Sequence, residues 1–327
     1  MKCLVVGGAG YIGSHMVKHL MRSGHDVFVF DNLSTGFSDS VQYAQLIVGD
    51  LNDQAFIEAV LREKQIEAVF HFASSTQVGA SHIDPADYYR NNVVNTLNLL
   101  DAMRAAQVMR MIFSSTAAVY GEPQIIPIPE DHPRQPINPY GRTKAMVEDI
   151  LRDYHTAYGL QSFSLRYFNA AGAHRDGECG ERHHPETHLI PLALQVASGR
   201  RSSIAIFGRD YDTPDGTCIR DYIHVSDIAA AHEMAVAKLL DEGGCHVCNL
   251  GTGHGYSVAE VIAAVARVTR CAIACEDQPR RPGDPAQLVA DPSRARHLLG
   301  WQPYVSDLDT IITHAWAWEQ KQVRLCR

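Results

Sequence analysis

A tyrosine and a lysine four residues apart are the first residues whose types and spacing point to chemistry. Tyr140 and Lys144 stand at the start of a helix predicted over 140–158, so their side chains share one face of it, one turn apart. A phenol with an ordinary pKa of about 10 is a poor base at neutral pH, and a neighbouring ammonium favours its phenolate. We therefore expect the pair to remove a proton from a substrate hydroxyl.

Three consecutive residues with hydroxyl groups indicate where in the fold the Tyr140/Lys144 pair lies. Ser114, Ser115 and Thr116 lie at the carboxyl end of a strand predicted over 109–115. Open α/β sheets bind their ligands at that edge. A Tyr/Lys pair at this spacing is common by itself, and its position beside this edge favours a catalytic site over a coincidence.

A glycine-rich turn near the N-terminus predicts a dinucleotide site. The segment from Gly7 to Gly13, with Gly10 between them, follows a strand predicted over 3–6 and opens a helix predicted over 11–23. Glycines there permit a tight turn, let a pyrophosphate approach the backbone N–H groups and bring helix and sheet close together. The alternative is a tight turn without a ligand.

An acidic residue 18 positions beyond Gly13 indicates which dinucleotide is bound. Asp31 ends the second predicted strand, 26–30, where a carboxylate accepts hydrogen bonds from an adenosine ribose. Positions 31–41 contain no Lys or Arg to receive a 2′-phosphate, so we expect NAD rather than NADP. Asp50 and Leu51, after the third strand, are predicted to flank the adenine. A nicotinamide would then take the hydride while Tyr140 moves the proton.

The elements that must position these residues alternate between strands and helices. The predicted strands are 3–6, 26–30, 45–49, 67–72, 109–115 and 162–168, and the predicted helices among them are 11–23, 54–64, 85–106 and 140–158. This alternation predicts an α/β fold, a doubly wound parallel sheet of the Rossmann type. Beyond position 168 the pattern is shorter and less regular, with helices predicted at 189–198, 226–240, 258–268 and 307–320. We expect 1–168 to form the NAD-binding domain, with 225–250 returning to it, and 169–224 with 251–327 to form a smaller α/β lobe for the substrate.

Composition excludes several other classes of protein. The chain has 327 residues, 46% of them hydrophobic, and a net charge of −8, which is typical of a globular domain and disfavours a nucleic-acid partner. No apolar run has the length of a membrane span, and Gly7 and Gly8 interrupt the N-terminal one too early for a signal peptide. Eight cysteines without such a signal are expected to be reduced thiols in a cytoplasmic protein.

Two groups of residues could instead bind a metal. Cys245 and Cys248, and Cys271 and Cys275, have spacings found in zinc clusters. We interpret both segments as short strands with buried thiols, so no metal is predicted. A polar loop also carries three histidines, for which a solvated loop is the favoured interpretation: His183, His184 and His188.

Six segments together resemble a known family. They are GGAGYIGSH (7–15), FSSTAAVYG (113–121), the Tyr140–Lys144 pair, RYFNAAG (166–172), IFGRDYDTPDGTCIRDYIHVSD (206–227) and RRPGD (280–284). They look like the extended short-chain dehydrogenases/reductases and, more narrowly, the UDP-glucose 4-epimerases. The resemblance covers nearly the whole chain, and 206–227 is its most specific part.

The resemblance implies a reaction and a role for each matched residue. NAD would oxidise C4 of a UDP-hexose to a 4-ketose, which turns and is reduced on its other face. Tyr140 would be the base and acid, Lys144 its activator, and Thr116 the hydroxyl that meets O4, where the family usually has Ser. The implied cofactor contacts are Gly7, Gly10, Tyr11, Ile12, Gly13, Asp31, Asn32, Asp50, Leu51, Phe72, Asn91, Ser114, Tyr140, Lys144 and Tyr167. The implied substrate contacts are Thr116, Tyr140, Asn169, His188, Leu189, Phe207, Arg220, Arg281, Asp284 and Leu288.

The same resemblance leaves the sugar and some alternatives open. Leu288 matches the position that gates the N-acetyl pocket, and it is neither the bulky Tyr of narrow enzymes nor the small residue of broad ones. Sugar-nucleotide dehydratases carry Asp and Glu at the two positions that follow the Thr matching Thr116, and decarboxylases carry Glu at the second of these. In this chain the two positions are Ala117 and Ala118, whose side chains can transfer no proton. A glucuronate or pentose epimerase, a net dehydrogenase and a non-catalytic NAD-binding regulator stay as alternatives. Relatives pair their long helices, so a homodimer is expected.

Overall fold

A seven-stranded parallel sheet forms the centre of the molecule. The computed structural model describes residues 1–42, 44–281 and 283–325. The strands are β1 (Lys2–Val6), β2 (Asp26–Asp31), β3 (Gln45–Val48), β4 (Ala68–His71), β5 (Arg110–Thr116), β6 (Gln161–Tyr167), β7 (Asn169–Ala171), β8 (Ile204–Phe207), β9 (Ile219–Arg220), β10 (Tyr222–His224), β11 (Cys245–Leu250), β12 (Tyr256–Ser257), β13 (Cys275–Gln278) and β14 (Gln287–Leu288). The central sheet has the order β11-β6-β5-β4-β1-β2-β3, and every pair in it is parallel. The predicted doubly wound α/β fold is confirmed.

Helices cover both faces of this sheet. They are α1 (Tyr11–Arg22), α2 (Gln54–Glu63), α3 (Val78–Ile83), α4 (Pro85–Tyr89), α5 (Asn95–Ala105), α6 (Pro139–Tyr158), α7 (Leu189–Ala197), α8 (Val225–Asp241), α9 (Val258–Thr269), α10 (Ser293–Leu299) and α11 (Leu308–Leu325). One apolar cluster joins Leu20 of α1 and Ala235 of α8 to the sheet, and a second joins Leu100 of α5 and Val147 of α6 to its other face. Strands covered on both sides read as continuous apolar runs, which is why the sheet was predictable.

The strand order reverses between β1 and β4, and this reversal opens the crevice for a ligand. The chain runs outward from β1 to β3 on one side and from β4 to β11 on the other. The glycine-rich turn leaves the carboxyl end of β1, and Thr116 ends β5 at the same edge. Strand β11 pairs with β6, so the chain re-enters the sheet after its excursion through 169–224.

A smaller set of short sheets and helices lies beyond the central sheet. Strand β10 pairs with β7, β9 lies between β12 and β14, and β13 pairs with β8. Helices α7, α9 and α11 pack together around a third apolar cluster that includes Leu194, Val261 and Ile311.

Two predicted elements differ from the observed ones. The predicted helix 85–106 consists of α4, a π-helical turn over Arg90–Val94 and α5. The predicted buried strand 271–275 is wrong: β13 begins at Cys275, and all four of its residues are exposed because it pairs with β8 alone. The seven cysteines within the described ranges are free thiols. Cys326 and Pro282 of the 280–284 segment lie outside the described residues.

Among the helices of the described residues, none combines the length and apolar character that crossing a membrane requires.

Candidate active site

The glycine-rich turn has the shape that a dinucleotide requires. Gly7 has φ +80°, and a Cβ there would lie 2.4 Å from the backbone nitrogen of Ala73. A Cβ at Gly13 would lie 2.1 Å from the carbonyl oxygen of Gly7, so both positions exclude any side chain. The nearest atom to a Cβ at Gly10 is 3.5 Å away, and Gly10 precedes α1 without a side-chain cap. The first N–H groups of α1 can therefore receive a pyrophosphate, and the turn fits the cofactor.

Asp31 links the end of β2 to this turn. Its two carboxylate oxygens accept hydrogen bonds from the backbone N–H groups of Ala9, at 2.9 Å, and Leu33, at 2.8 Å. Each oxygen keeps a further lone pair for a ribose hydroxyl. Beside it, the Asn32 amide donates to Asp50 at 2.8 Å. The structure thus brings these acidic and amide groups together at the ends of β2 and β3.

The other predicted cofactor contacts are spread along the same edge. The Tyr11 hydroxyl donates to the carbonyl of Gly172 at 2.7 Å and ties α1 to the loop after β7. The Phe72 ring follows β4 and lies 4.9 Å from the ring of His232. Asn91 lies in the π-helical turn and donates to the Ser75 hydroxyl at 3.1 Å. Ile12 is partly buried against the core, and Leu51 is buried.

Strand β5 and helix α6 bring the predicted catalytic residues together. The Thr116 side chain lies close enough to the Tyr140 hydroxyl to lower the pKa of that phenol. The ammonium of Lys144 donates to the carbonyl of Ser114 at 2.8 Å, and its Nζ lies 6.0 Å from the centre of the Tyr140 ring. The Tyr167 hydroxyl donates to Ser114 Oγ from the neighbouring strand β6. Two phenols, two aliphatic hydroxyls and an amine therefore lie together at one edge of the sheet.

Burial controls the protonation of this pair. It raises the pKa of Tyr140 to about 12, and the neighbouring Thr116 side chain lowers that pKa in part. It lowers the pKa of Lys144 to about 7, and the charge of Glu148 opposes this. The spacing predicted that the lysine charge favours the Tyr140 phenolate. In the structure, desolvation is the largest cause of the Tyr140 pKa shift and acts against the phenolate.

A buried ion pair behind the site was not predicted. Glu148, one turn beyond Lys144, accepts hydrogen bonds from Ser115 at 2.6 Å and from the guanidinium of Arg166 at 2.6 and 2.8 Å. It locks α6 onto β5 and β6. Its position four residues after Lys144 on one helical face is the only sequence signal that could have identified it.

Five of the predicted substrate contacts form one group. Arg220 donates to Asp284 at 3.1 Å, and the guanidinium of Arg281 lies 3.8 Å from the centre of the Phe207 ring. Leu288 is aligned with Arg220 in the β14–β9 pair and packs against the cluster of Ala117 and Phe168. Two arginines and an aromatic ring thus converge from segments far apart in sequence.

The remaining three predicted contacts lie on other elements. Asn169 begins β7, and its backbone N–H donates to the carbonyl of Asp221 at 2.9 Å. His188 precedes α7, with Nδ1 at 2.8 Å from Glu181 and 3.0 Å from Glu186. Leu189 begins α7 and packs against the third apolar cluster. Within the described ranges, no hydrogen bond or ion pair joins these residues to the Arg220 group.

Asp221 is a second residue that sequence reasoning missed. Its buried carboxylate accepts hydrogen bonds from the backbone N–H groups of Thr252 at 2.9 Å, Gly253 at 3.0 Å and Ala290 at 3.2 Å. It therefore fixes the turn after β11 and the end of the segment that carries Leu288. The signal was its place next to Arg220 inside the 206–227 segment.

Comparison with known proteins places this geometry in a family. A family model described as GDP-mannose 4,6 dehydratase matches residues 4–314. A UDP-glucose 4-epimerase from Halalkalibacterium halodurans is 48% identical over 321 residues, which cover 98% of this chain and 96% of that protein. The chain belongs to the UDP-glucose 4-epimerase family.

Solved structures of UDP-glucose 4-epimerases share this fold over nearly their full length. The Brucella ovis protein, solved in complex with NAD, is 50% identical with a TM-score of 0.94, covering 96% of this chain and 97% of that one. The Bifidobacterium longum protein, solved with NAD+ and UDP, is 40% identical with a TM-score of 0.95, covering 99% of both chains. The resemblance inferred from the six segments is confirmed.

Proposed function

We propose that the chain interconverts the C4 epimers of a UDP-hexose, with Tyr140, Lys144 and Thr116 performing the chemistry. The protein is an isomerase of the UDP-glucose 4-epimerase type, and its cofactor is NAD. The observation that carries the assignment of residues is the contact of Tyr140 with Thr116 beside Lys144. Ala117 and Ala118 follow directly and offer no second acid or base for a dehydration.

The cofactor's place follows from the first half of the sheet. The glycine-rich turn and α1 hold the pyrophosphate, Asp31 the adenosine ribose, and Asn32 with Asp50 the rim beside the adenine. The chemistry that bound NAD supplies is reversible acceptance of a hydride from C4 of the sugar.

The proton follows a path through Tyr140. Tyr140 accepts the O4 proton as C4 is oxidised to the ketone and returns it when C4 is reduced, so the enzyme's proton count is unchanged after turnover. Because burial disfavours the phenolate, the ammonium of Lys144 and the hydroxyl of Thr116 must stabilise it during the step. Lys144 stays next to the site because the Ser114 carbonyl holds its ammonium.

The group of substrate contacts around Arg220 holds the nucleotide while the sugar turns. Arg220 and Arg281 meet the two phosphates, Asp284 the uridine ribose, and Phe207 flanks the base. The family resemblance implies that Asn169, His188 and Leu189 complete the contacts with the uridine diphosphate. Guanidinium groups suit phosphates because they donate in pairs, and the chain's net charge of −8 makes such local cations necessary.

Different parts of the chain bind the cofactor and the substrate. Residues 1–168 with 225–250 bind NAD, and 169–224 with 251–327 bind the UDP-sugar. We also propose a cytoplasmic homodimer. Free thiols suit a reducing compartment, and apolar side chains exposed on the helices over Pro85–Ala105 and Pro139–Tyr158 suit a partner copy.

A direct assay tests the reaction. Purified protein is mixed with UDP-galactose, without and then with added NAD, and the anomeric proton signals are followed by NMR. We expect UDP-glucose to form in both cases, with Tyr140→Phe slower by about 10²–10⁴-fold and the exposed control Tyr304→Phe unchanged. Stoichiometric NADH release would identify a net dehydrogenase, and silence with NAD bound would support the non-catalytic alternative.

A further inference from the structure

One short loop gathers four metal-ligating side chains that the epimerase reaction does not use as a set. Residues Glu181, His183, Glu186 and His188 each place one ligand atom so that all four atoms lie within 4.8 Å of one another. They come from eight consecutive positions between β7 and α7. We propose that this cluster binds a divalent first-row transition cation, with zinc as the best match.

The distances between the ligand atoms fit one coordination shell. His188 Nδ1 lies 2.8 Å from Glu181 Oε1 and 3.0 Å from Glu186 Oε1. His183 Nδ1 lies 3.3 Å from Glu186 Oε2 and 3.5 Å from Glu181 Oε1. Four ligands at zinc's usual bond lengths of about 2.0–2.2 Å, arranged tetrahedrally, are separated by roughly 3.4 Å. With Glu186 Oε2 as the ligand atom of that residue, the observed separations of 2.8, 3.3 and 3.5 Å lie within about 0.6 Å of that value.

The charges in the cluster also favour a cation. The side chains of Glu181 and Glu186 are only 6% and 8% exposed. Within the described residues, their ion pairs run only to His183 and His188. Two enclosed carboxylates beside two imidazoles require about two positive charges. Two protonated imidazoles or a single divalent ion can supply both, and the ion leaves the imidazoles neutral, which is the form that binds metals.

Neighbouring groups orient the ligands as they do in built metal sites. The backbone N–H groups of Thr187 and His188 donate to Glu186 Oε1 at 2.8 and 2.9 Å, which fixes this carboxylate and leaves its other oxygen, Oε2, as the ligand atom. His188 is 49% exposed, so the ion has a way in. Imidazole nitrogen with carboxylate oxygen suits zinc better than calcium or magnesium.

The ion would hold the loop against the first turn of α7. With Nδ1 of His188 on the ion, its Nε2–H remains a donor toward the uridine diphosphate, a consequence that rests on the proposed function. The binding itself does not depend on that function, since metal content is measured without turnover.

The test compares adjacent histidines in the full-length protein. Protein dialysed against a chelator is given one equivalent of Zn²⁺, gel-filtered and analysed by inductively coupled plasma mass spectrometry. We expect about one zinc per chain for the wild type and for His184→Ala, whose ring packs against Phe37 instead, and at least a fivefold loss for His183→Ala. Far-UV circular dichroism confirms that each variant is folded.

A spectroscopic measurement on the unmutated protein keeps the proposal falsifiable if His183→Ala does not fold. Co²⁺ bound at this cluster is expected to give visible d–d bands without a thiolate charge-transfer band. No bound metal, zinc retained equally by His183→Ala, or a thiolate band that assigns the ion to cysteines would overturn the proposal.

Discussion

Burial acts in opposite directions on the two titrating groups of the site. It raises the pKa of Tyr140 to about 12 and lowers that of Lys144 to about 7, because the anion of one and the cation of the other both lose water. An enclosed lysine is therefore tolerated at the expense of stability. Active sites commonly hold such destabilising groups.

Replacing Lys144 by methionine is expected to stabilise the protein while abolishing turnover. The folded pKa of about 7 lies below the unfolded value of 10.5. The destabilisation is thus complete below pH 7 and disappears as pH rises to the unfolded value. Thermal unfolding of Lys144→Met, without added cofactor, should show a melting temperature several degrees higher at pH 6 and a smaller gain at pH 9. A gain that is constant across this range would contradict the assigned cause.

Removing the hydroxyl of Thr116 is expected to slow the reaction without unfolding the chain. Thr116→Val keeps the side-chain shape and deletes the hydroxyl that lies beside Tyr140 and lowers its pKa, which is the hydroxyl proposed to hydrogen-bond the reacting O4. Hydrogen bonds to charged groups contribute about 1.5–3 kcal/mol, which corresponds to a loss of about 10–150-fold in kcat. Thr116→Ser should stay within a few-fold of the wild type, since the hydroxyl remains. Equal rates for all three proteins would remove Thr116 from the site.

At the scale of elements, strand β14 links the residues proposed to bind the nucleotide to the position proposed to select the sugar. Leu288 is aligned with Arg220 of β9 and packs against the apolar cluster that contains Ala117, the residue after Thr116. A side chain at this position therefore lies between Arg220 and the apolar cluster beside the turn after β5. Its size should therefore control how much room the sugar substituent has.

Enlarging Leu288 is expected to narrow the range of substrates. A ring at Leu288→Tyr would occupy the space of an N-acetyl group, and steric discrimination of this kind is worth about 10–200-fold in kcat/KM. Rates with UDP-galactose and UDP-N-acetylgalactosamine are compared by NMR. Gln287→Tyr is the matched control, because successive strand residues point to opposite faces. If both variants change the ratio of rates alike, the effect does not come from the gating position.

The elements that the sequence predicted well are those with local signals. Strand β1 is a continuous buried run, and α6 begins with Asn138 accepting from the backbone of Gly141 and a proline in its first turn. Strand β13 was misplaced because its sequence, CEDQ, is exposed and polar and pairs only with β8.

Contacts between distant segments had no local signal. Arg220 and Asp284 are 64 residues apart, and only the family resemblance placed them in one site. The Glu181–His188 cluster lies in an irregular loop without hydrophobic periodicity, so only the folded chain shows that two glutamates join the histidines.

At the scale of the whole molecule, exposed apolar side chains on two helices lead to the last prediction. Val94, at the end of the π-helical turn, is 49% exposed, and Met146 of α6 is 39% exposed. Apolar groups on neighbouring long helices favour burial against a second copy, and a C2 axis would bring the same pair of helices from both chains together.

Negative charges introduced at Val94 and Met146 are expected to dissociate the dimer. Light scattering after size exclusion should give twice the mass of one chain for the wild type and one chain mass for the double variant Val94→Glu, Met146→Glu. Leu240→Glu, on α8 and 48% exposed, is the control and should leave the dimer intact. A wild type that is monomeric at micromolar concentration would contradict the dimer, and dissociation by all variants alike would place the interface elsewhere.

Because a dimer formed through α6 stabilises the helix that carries Tyr140 and Lys144, the double variant should also melt at a lower temperature than the wild type. For the same reason, the wild-type melting temperature should rise with protein concentration.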